Sequence, residues 1–518
     1  MKTQRSKNLV EWLRTFSRDR LNSNLMDSRR LISPHVILEF GNKGILGLFV
    51  PERQGGLGFT FQECADVLQQ VAAIDLNLAA FIGINNFLGI YPILKFGSDQ
   101  YREELIPKLA TGRMLASFAI TETSSGSDPL TMNTTATQTN GGAWVLNGSK
   151  NWIGSAGWAG VINVVAKERK FDGTPAGISA FAIKEGTPGL KIGPEAMTMG
   201  MRGLVQNAIF LDNAPIVHEA LLGQSAQGRE LAYEIMNVTR FFLGASAVGG
   251  LKRFLQISTK YAATRKVSTG FLIDQPITRI RLTDLLNCTL ALESLVQFIG
   301  RKMDEDIALV SQDLFLTCKI LGSEFLWAAA DITMQTLGGR GYIEANGVAQ
   351  MFRDARLIRI FEGATEALEV HLGSIFALNP EKAIALSLLL KGEDTVLNSF
   401  SADIIRLKKI LKEKKESPER HAVHEKLLFN ALCGKIAAFA ILAAVHEVMP
   451  NDVSTKERVS RWIKFKYETE LEIATRILSD FTFLNGQDLR LETGKFKNSI
   501  GNVRQQMLGE DWQFDPLL

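Results

Sequence analysis

Residues 351–369 read MFRDARLIRIFEGATEALE, and an apolar segment in this stretch leads into Phe-Glu-Gly. Gly363 allows a sharp backbone turn, so the carboxylate of Glu362 can be presented to a binding site. Aromatic and aliphatic neighbours would desolvate that carboxylate, raise its pKa and make it a stronger base toward carbon acids. An isolated Glu-Gly pair is more often a helix cap or a surface glutamate. The interpretation of Glu362 therefore depends on other parts of the chain.

Two further segments support a catalytic role for this turn. One is FAITETSSGSD at 118–128, followed by LNGSKNWIGS at 146–155, and the other is MQTLGGRGY at 334–342. The order and spacing of all these motifs resemble the acyl-CoA dehydrogenase family, flavoenzymes that desaturate acyl thioesters between the α and β carbons. The resemblance covers roughly residues 1–378.

The bulk composition is that of a globular protein with several domains. The 518 residues are 46% hydrophobic and 22% charged, enough for a large core. A net charge of +3 gives no reason to expect nucleic acid as a partner. The four cysteines are scattered in apolar contexts, which indicates reduced core residues and an intracellular protein. They are Cys64, Cys288, Cys318 and Cys433.

The location of the protein is expected to be cytoplasmic. The N-terminus lacks the apolar region of a secretory signal. Its first ten residues are poor in acids, so composition alone leaves a mitochondrial matrix protein open. The apolar run at 436–445 is interpreted as too short to span a bilayer.

Hydrophobic periodicity predicts an α+β fold with four regions. Residues 1–114 have helical spacing, 115–218 consist of short β-rich segments between Gly, Asn and Asp, and 219–378 are helical again. This order is that of acyl-CoA dehydrogenases: an N-terminal helical domain, a middle β-domain and a C-terminal helical bundle. Residues 379–518 form an additional helical region with turns near 417–418 and 450–454.

The resemblance implies FAD as cofactor and an acyl thioester as substrate. Glu362 would remove the α-proton while a hydride leaves the β carbon for flavin N5. The backbone N–H of the same residue would help to hold the thioester oxygen. Some members carry the base on the long helix instead, but here that helix has no acid from Asn237 to Leu251.

The flavin site implied by the resemblance begins in the middle domain. Thr121 and Ser127 match positions that bind the flavin ring and the pyrophosphate region, and Trp152 matches a tryptophan that lies against the flavin. The family usually has a hydroxyl residue where this chain has Gly154. Ser155, or a backbone N–H, is the expected substitute.

Further flavin contacts in the family come from a neighbouring subunit, which implies a homodimer or homotetramer. Arg265 matches an arginine at the pyrophosphate, whose planar fork suits phosphate oxygens. Gln275 is about one residue out of register with the family glutamine. Gln335, Gly338 and Gly339 match well, and glycines there allow the backbone to approach the adenosine diphosphate closely.

The expected substrate contacts are Asn237 and Arg240 on the long helix. The family's more usual aspartate is Asn237 here, and Arg240 precedes an apolar run, so its charge should have a partner. The floor of the acyl pocket is expected from LAAFIGINNFLGI at 78–90.

Two other functions stay open from the sequence. The acyl group could be tethered to a carrier protein, because the basic run RLKKILKEKKE at 406–416 would suit an acidic partner. The same run could instead meet an anionic membrane surface, which leaves peripheral membrane association open. The chain could also be a flavin-binding scaffold or a flavin-dependent oxygenase. An electron-transferring flavoprotein, or another acceptor, is the expected electron partner. His421 and His424 share a helix face without a third ligand, so no metal site is predicted.

Overall fold

The computed structural model describes residues 4–379, 381–382, 395–413, 421–479 and 484–501. Helices form the first part of the chain, and α4 begins with a capping box in which Thr60 and Glu63 satisfy each other's backbone N–H groups. After α5 the helix continues with π-helical geometry over Ile84–Ile90. These helices are α1 (Gln4–Arg20), α2 (Ser23–Arg29), α3 (Pro34–Asn42), α4 (Phe61–Ile74), α5 (Leu76–Gly83), α6 (Tyr91–Phe96) and α7 (Asp99–Ala110).

An eight-stranded sheet follows, in the order β6-β7-β3-β2-β4-β5-β8, and β1 also pairs with β4. Most neighbours are antiparallel, but β1 and β2 both run parallel to β4. Strand β4 is buried over most of its length, so the β-domain has a core of its own. The strands are β1 (Leu115–Ala119), β2 (Thr135–Gln138), β3 (Trp144–Gly154), β4 (Ala159–Arg169), β5 (Pro175–Lys184), β6 (Leu190–Glu195), β7 (Gln206–Ile216) and β8 (Leu221–Leu222).

The chain then returns to helices around the long and largely buried α8. A short hairpin, β9 (Lys266–Val267) and β10 (Gly270–Phe271), separates α8 from α9. The order of helices, sheet and helices confirms the predicted α+β fold. The helices are α8 (Gly228–Thr264), α9 (Pro276–Glu305), α10 (Gln312–Leu337), α11 (Gly339–Tyr342), α12 (Val348–Ile358) and α13 (Thr365–Leu378).

The C-terminal extension, predicted over 379–518, is helical where the structure describes it, and it packs on α9 and α13. Trp462 Nε1 donates to Asp284 Oδ1 at 2.7 Å, and Lys466 pairs with the same carboxylate at 2.9 Å. Gly373 of α13 faces Gly434 of the extension helix that runs from His421 to Val448. The helices are α14 (Thr395–Glu413), α15 (His421–Val448), α16 (Val453–Ser479), α17 (Gly486–Gly494) and α18 (Lys497–Ile500). The predicted turn near 417–418 and the end of the basic run, 414–416, lie outside the described residues.

The apolar run at 436–445 belongs to a longer apolar helix than the sequence interpretation assumed. Three described segments are long and apolar enough to cross a membrane by length and composition: Leu76–Phe96, Pro276–Glu305 and Val423–Val448. The expectation that the run is too short was therefore wrong, because the flanking residues from Val423 onward extend the apolar helix. Most of each apolar window is buried within the protein.

Candidate active site

A cavity of about 530 Å³ lies between the sheet, the α5 region and the turn that joins α12 to α13. Its lining brings together four of the residues predicted from sequence: Thr121, Ser127, Trp152 and Glu362. Gly154 lines it as well. Residues more than 200 positions apart in the sequence thus meet at one cavity.

Glu362 lies in a strained turn at the cavity wall. Its φ is 57° and that of Gly363 is 96°, both in the left-handed region. The turn is closed by the N–H of Thr365, which donates to the carbonyl of Arg359 at 3.1 Å. Within the described chain, the N–H of Glu362 donates to no other backbone group. The turn therefore presents a carboxylate at the cavity, together with a backbone N–H that bonds to no described backbone group.

The ionisation of Glu362 is set by opposing effects. Burial raises its pKa, and the positive charges of Arg240 and Lys319 counter part of that rise. A carboxylate with a raised pKa binds a proton more strongly once ionised. This balance suits a general base.

Arg240 and Asn237 lie next to each other on α8. Arg240 is only 3% exposed, and its Nη1 donates to Asn237 Oδ1 at 3.2 Å. Its Nε is buried with no hydrogen-bond partner in the described structure. Burial lowers the pKa of Arg240, and the negative charge of Glu362 counters part of that fall by favouring the charged guanidinium.

A buried ion pair fixes the loop that carries Thr121 and Ser127. Lys150 of β3 is fully buried, and its Nζ donates to Glu122 Oε1 at 2.9 Å. Burial alone would raise the pKa of Glu122, but hydrogen bonds from Thr134, Asn133 and Lys150 lower it to about 2. The carboxylate stays ionised, and it ties the loop to β3 beside the cavity.

Trp152 and Ser155, at the end of β3, also have left-handed backbones. Their φ angles are 57° and 61°. The Trp152 side chain is 51% exposed at the cavity, as a ring that contacts a ligand would be. Ser155 is 2% exposed, is not among the lining residues, and its Oγ has no described partner. A Cβ at Gly154 would lie 2.6 Å from Ile84 Cδ1, so Ile84 occupies the space of a larger residue there.

The remaining predicted cofactor residues lie away from the cavity of their own chain. Arg265 caps the end of α8 and is exposed. Gln275 binds its own hairpin, accepting from Thr269 Oγ1 at 2.9 Å. Gln335, Gly338 and Gly339 are exposed at the end of α10, and a Cβ at either glycine would meet nothing within 4 Å. These five residues could therefore contact only a ligand held elsewhere, such as one in a second subunit.

The sequence interpretation missed Lys319 of α10. This side chain is 1% exposed, and its Nζ donates to the carbonyl of Gly363 at 2.6 Å. The signal was present in the apolar run LFLTCKIL at 314–321, in which Lys319 is the only charge.

Met201 was missed as well. It lines the cavity with a φ of 52°, and its N–H donates to the carboxylate of Asp354. No local pattern links these residues, which are 153 positions apart.

The expected pocket floor contributes one helical face. Ala80, Ile84 and Leu88 line the cavity, spaced four residues apart. In the described part of the chain, no group of three or more His, Cys, Asp or Glu side chains could hold a metal ion.

Comparisons with known proteins agree with this architecture. Three consecutive family models match: the N-terminal domain of acyl-CoA dehydrogenase at 3–113, its middle domain at 117–214 and its C-terminal domain at 226–374. A probable acyl-CoA dehydrogenase of Bacillus subtilis (strain 168) is 32% identical over 366 residues, which are 66% of this chain and 60% of that protein. The human mitochondrial very long-chain specific acyl-CoA dehydrogenase is 29% identical over 71% of this chain and 57% of its own length.

One solved structure also covers the extension. An acyl-CoA dehydrogenase from Bacillus anthracis, complexed with FAD, superposes with a TM-score of 0.78 over 96% of this chain and 91% of that chain, at 24% identity. The fold of the extension is thus shared with a solved protein. With three matching domains in the family order, the chain belongs to the acyl-CoA dehydrogenase family.

Proposed function

We propose that the protein is an FAD-dependent dehydrogenase of acyl-CoA thioesters, with Glu362 as the base. The observation that carries this proposal is the left-handed turn that places the Glu362 carboxylate in a cavity with Trp152, Thr121 and Ser127. Family membership and the names of the relatives support the same reaction.

The residues present fit a flavin. The cavity of about 530 Å³ offers an exposed indole for stacking and the polar side chains of Thr121 and Ser127. Gly126 leaves open space in the same loop. FAD, when bound, supplies the acceptor for the hydride that leaves the β carbon.

The chain's own groups supply the other half of the reaction. A Glu362 carboxylate oxygen takes the α-proton, which the thioester carbonyl has acidified. The free N–H of Glu362 donates to the thioester oxygen, where negative charge develops. The charge of Arg240 favours the ionised form of this carboxylate and opposes part of the rise in its pKa that burial causes. Apolar side chains at Ala80, Ile84 and Leu88 exclude water from the acyl group.

A second subunit would complete the flavin site. Arg265, Gln275, Gln335, Gly338 and Gly339 would contact the pyrophosphate and adenosine of FAD bound to a neighbour, so we propose a homodimer or homotetramer. Asn237 and Arg240 would border the thioester arm. An electron-transferring flavoprotein is the proposed electron acceptor, and a bacterial cytoplasm or a mitochondrial matrix is the proposed location. A carrier-bound substrate, a scaffold or an oxygenase is not favoured.

An anaerobic titration of Glu362→Gln with acyl-CoA esters of increasing length tests the base. Both proteins should show the visible absorption of bound flavin, but flavin reduction in the variant should be slower by roughly 10²–10⁴-fold. Glu366→Gln is the matched control, because Glu366 is exposed and only four residues away. An unchanged rate in Glu362→Gln would remove Glu362 as the base, and a colourless wild-type protein would refute the cofactor.

A further inference from the structure

Lys319 is a buried cation without an ion-pair partner in the described structure. It lies on α10, is 1% exposed, and no described carboxylate approaches its Nζ within 4.0 Å. Its hydrogen bond is to a neutral group, the Gly363 carbonyl, at 2.6 Å. Because a buried ammonium loses its hydration, an apolar side chain of similar length would stabilise the fold more. Packing alone gives no reason for a charge at this position.

The bond is made to the residue that follows Glu362. Both residues have positive φ, which ordinary side chains disfavour, so the turn needs support from its surroundings. Holding the Gly363 carbonyl restricts rotation of the Gly363–Ala364 peptide, the second peptide after Glu362, and so fixes the turn that presents the base. A change of about 1 Å in the position of a reacting group is enough to slow catalysis 10²-fold.

The charge of Lys319 acts on the same carboxylate. The groups that influence Glu362 are Arg240 from α8 and Lys319 from α10, both positive. Around Lys319, the negative charges of Glu362, Glu324 and Glu366 favour the ammonium, and Arg240 opposes it. His371 of α13 faces Arg240 as well. Burial lowers the pKa of Lys319 to about 8, so the ammonium form still predominates at neutral pH.

We propose that Lys319 is a positioning residue for Glu362: its ammonium holds the Gly363 carbonyl, and its positive charge favours the negative form of the neighbouring carboxylate. This inference rests on the proposed function, in which Glu362 is the base. It assigns α10 a role in catalysis although α10 contributes no side chain to the cavity lining.

The test measures flavin reduction by an acyl-CoA against pH for wild type, Lys319→Met and Lys319→Arg. Lys319→Met keeps the length but removes the charge and the donor. Its rate should fall about tenfold to 100-fold. The acidic limb of its pH profile should move upward by about one unit, because losing a nearby positive charge raises the pKa of Glu362. Lys319→Arg should stay slow but restore the acidic limb to its wild-type position.

Cys318→Ala is the matched control on the same helix. It removes a fully buried neighbour without changing charge, so it should lower the melting temperature and leave the pH profile in place. An unshifted acidic limb in Lys319→Met, with flavin still bound, would overturn the proposal, and so would an equal shift in Cys318→Ala. If Lys319→Met does not fold, the pH profile of Lys319→Arg decides. An acidic limb about one unit above the wild-type limb in Lys319→Arg would overturn the proposal. A fully active Glu362→Gln would instead overturn the base assignment, and the role of Lys319 with it.

Discussion

Replacing Gly434 with alanine should force helix α15 of the extension away from helix α13. Gly434 of α15 packs against the backbone of α13, and a Cβ at this position would lie 2.7 Å from the carbonyl carbon of Glu369 and 2.9 Å from its Cα. Carbon atoms prefer separations of about 3.5–4.0 Å. The obstacle is backbone, so no rotamer change relieves it, and the two helices must move apart by about 1 Å.

The cost follows from that displacement. A gap of 0.5–1 Å forfeits roughly a quarter to a half of each dispersion contact across the interface. Overpacking typically costs about 1–3 kcal/mol, and a rigid backbone obstacle belongs at the upper end. Alanine regains about 1 kcal/mol of helix propensity relative to glycine. We therefore expect a net loss of about 2 kcal/mol in the free energy of unfolding.

Urea denaturation followed by circular dichroism measures this loss. Gly494→Ala is the control: Gly494 also lies in an extension helix, and a Cβ there would meet nothing within 4 Å. It should be neutral or slightly stabilising. Equal stability of Gly434→Ala and Gly494→Ala would refute the argument, because it would mean that α13 and α15 are not in close backbone contact.

Two further predictions concern the cavity wall and Asp354, which accepts from the N–H of the lining residue Met201. Burial raises the pKa of Asp354 to about 8 from an ordinary 3.8, so its protonated form stabilises the fold at low pH and that stability is lost as pH rises through 8. Wild type should lose about 1–3 kcal/mol of unfolding free energy between pH 6 and 8, and Asp354→Asn should flatten this slope in urea denaturation at each pH. Gly154→Ser should cost about 1 kcal/mol, the lower end for overpacking, because its Cβ meets only the terminal Cδ1 atom of Ile84, and Ile84→Val, which lacks that atom, should recover most of the loss. A double-mutant cycle with no coupling between positions 154 and 84 would contradict this.

Much of the fold was accessible from the sequence because it depends on repeating patterns. The change from helical to β-rich spacing near Met114 matches the start of β1 at Leu115. The glycine after Glu362 correctly indicated a turn, and Thr121, Ser127 and Trp152 do meet Glu362 at one cavity. Local pattern and motif order carry this kind of information.

The parts that sequence reasoning missed depend on contacts between distant segments. Lys319 meets Gly363 across 44 positions, and Asp354 meets Met201 across 153. Neither pairing has a periodic signature. The membrane interpretation of 436–445 was wrong for a different reason, since it considered the most apolar run without the helix that contains it.

The left-handed backbones at Trp152, Ser155 and Glu362 limit how this protein could be engineered for heat resistance. Each conformation costs about 1 kcal/mol or more that glycine would not incur, so a screen for thermostability alone would favour glycine at these positions. The same substitutions would delete the indole and the carboxylate on which the proposed reaction depends. Selection for stability and selection for turnover would thus act in opposite directions at this cavity, and gains in heat resistance should be sought in the extension or on the surface instead.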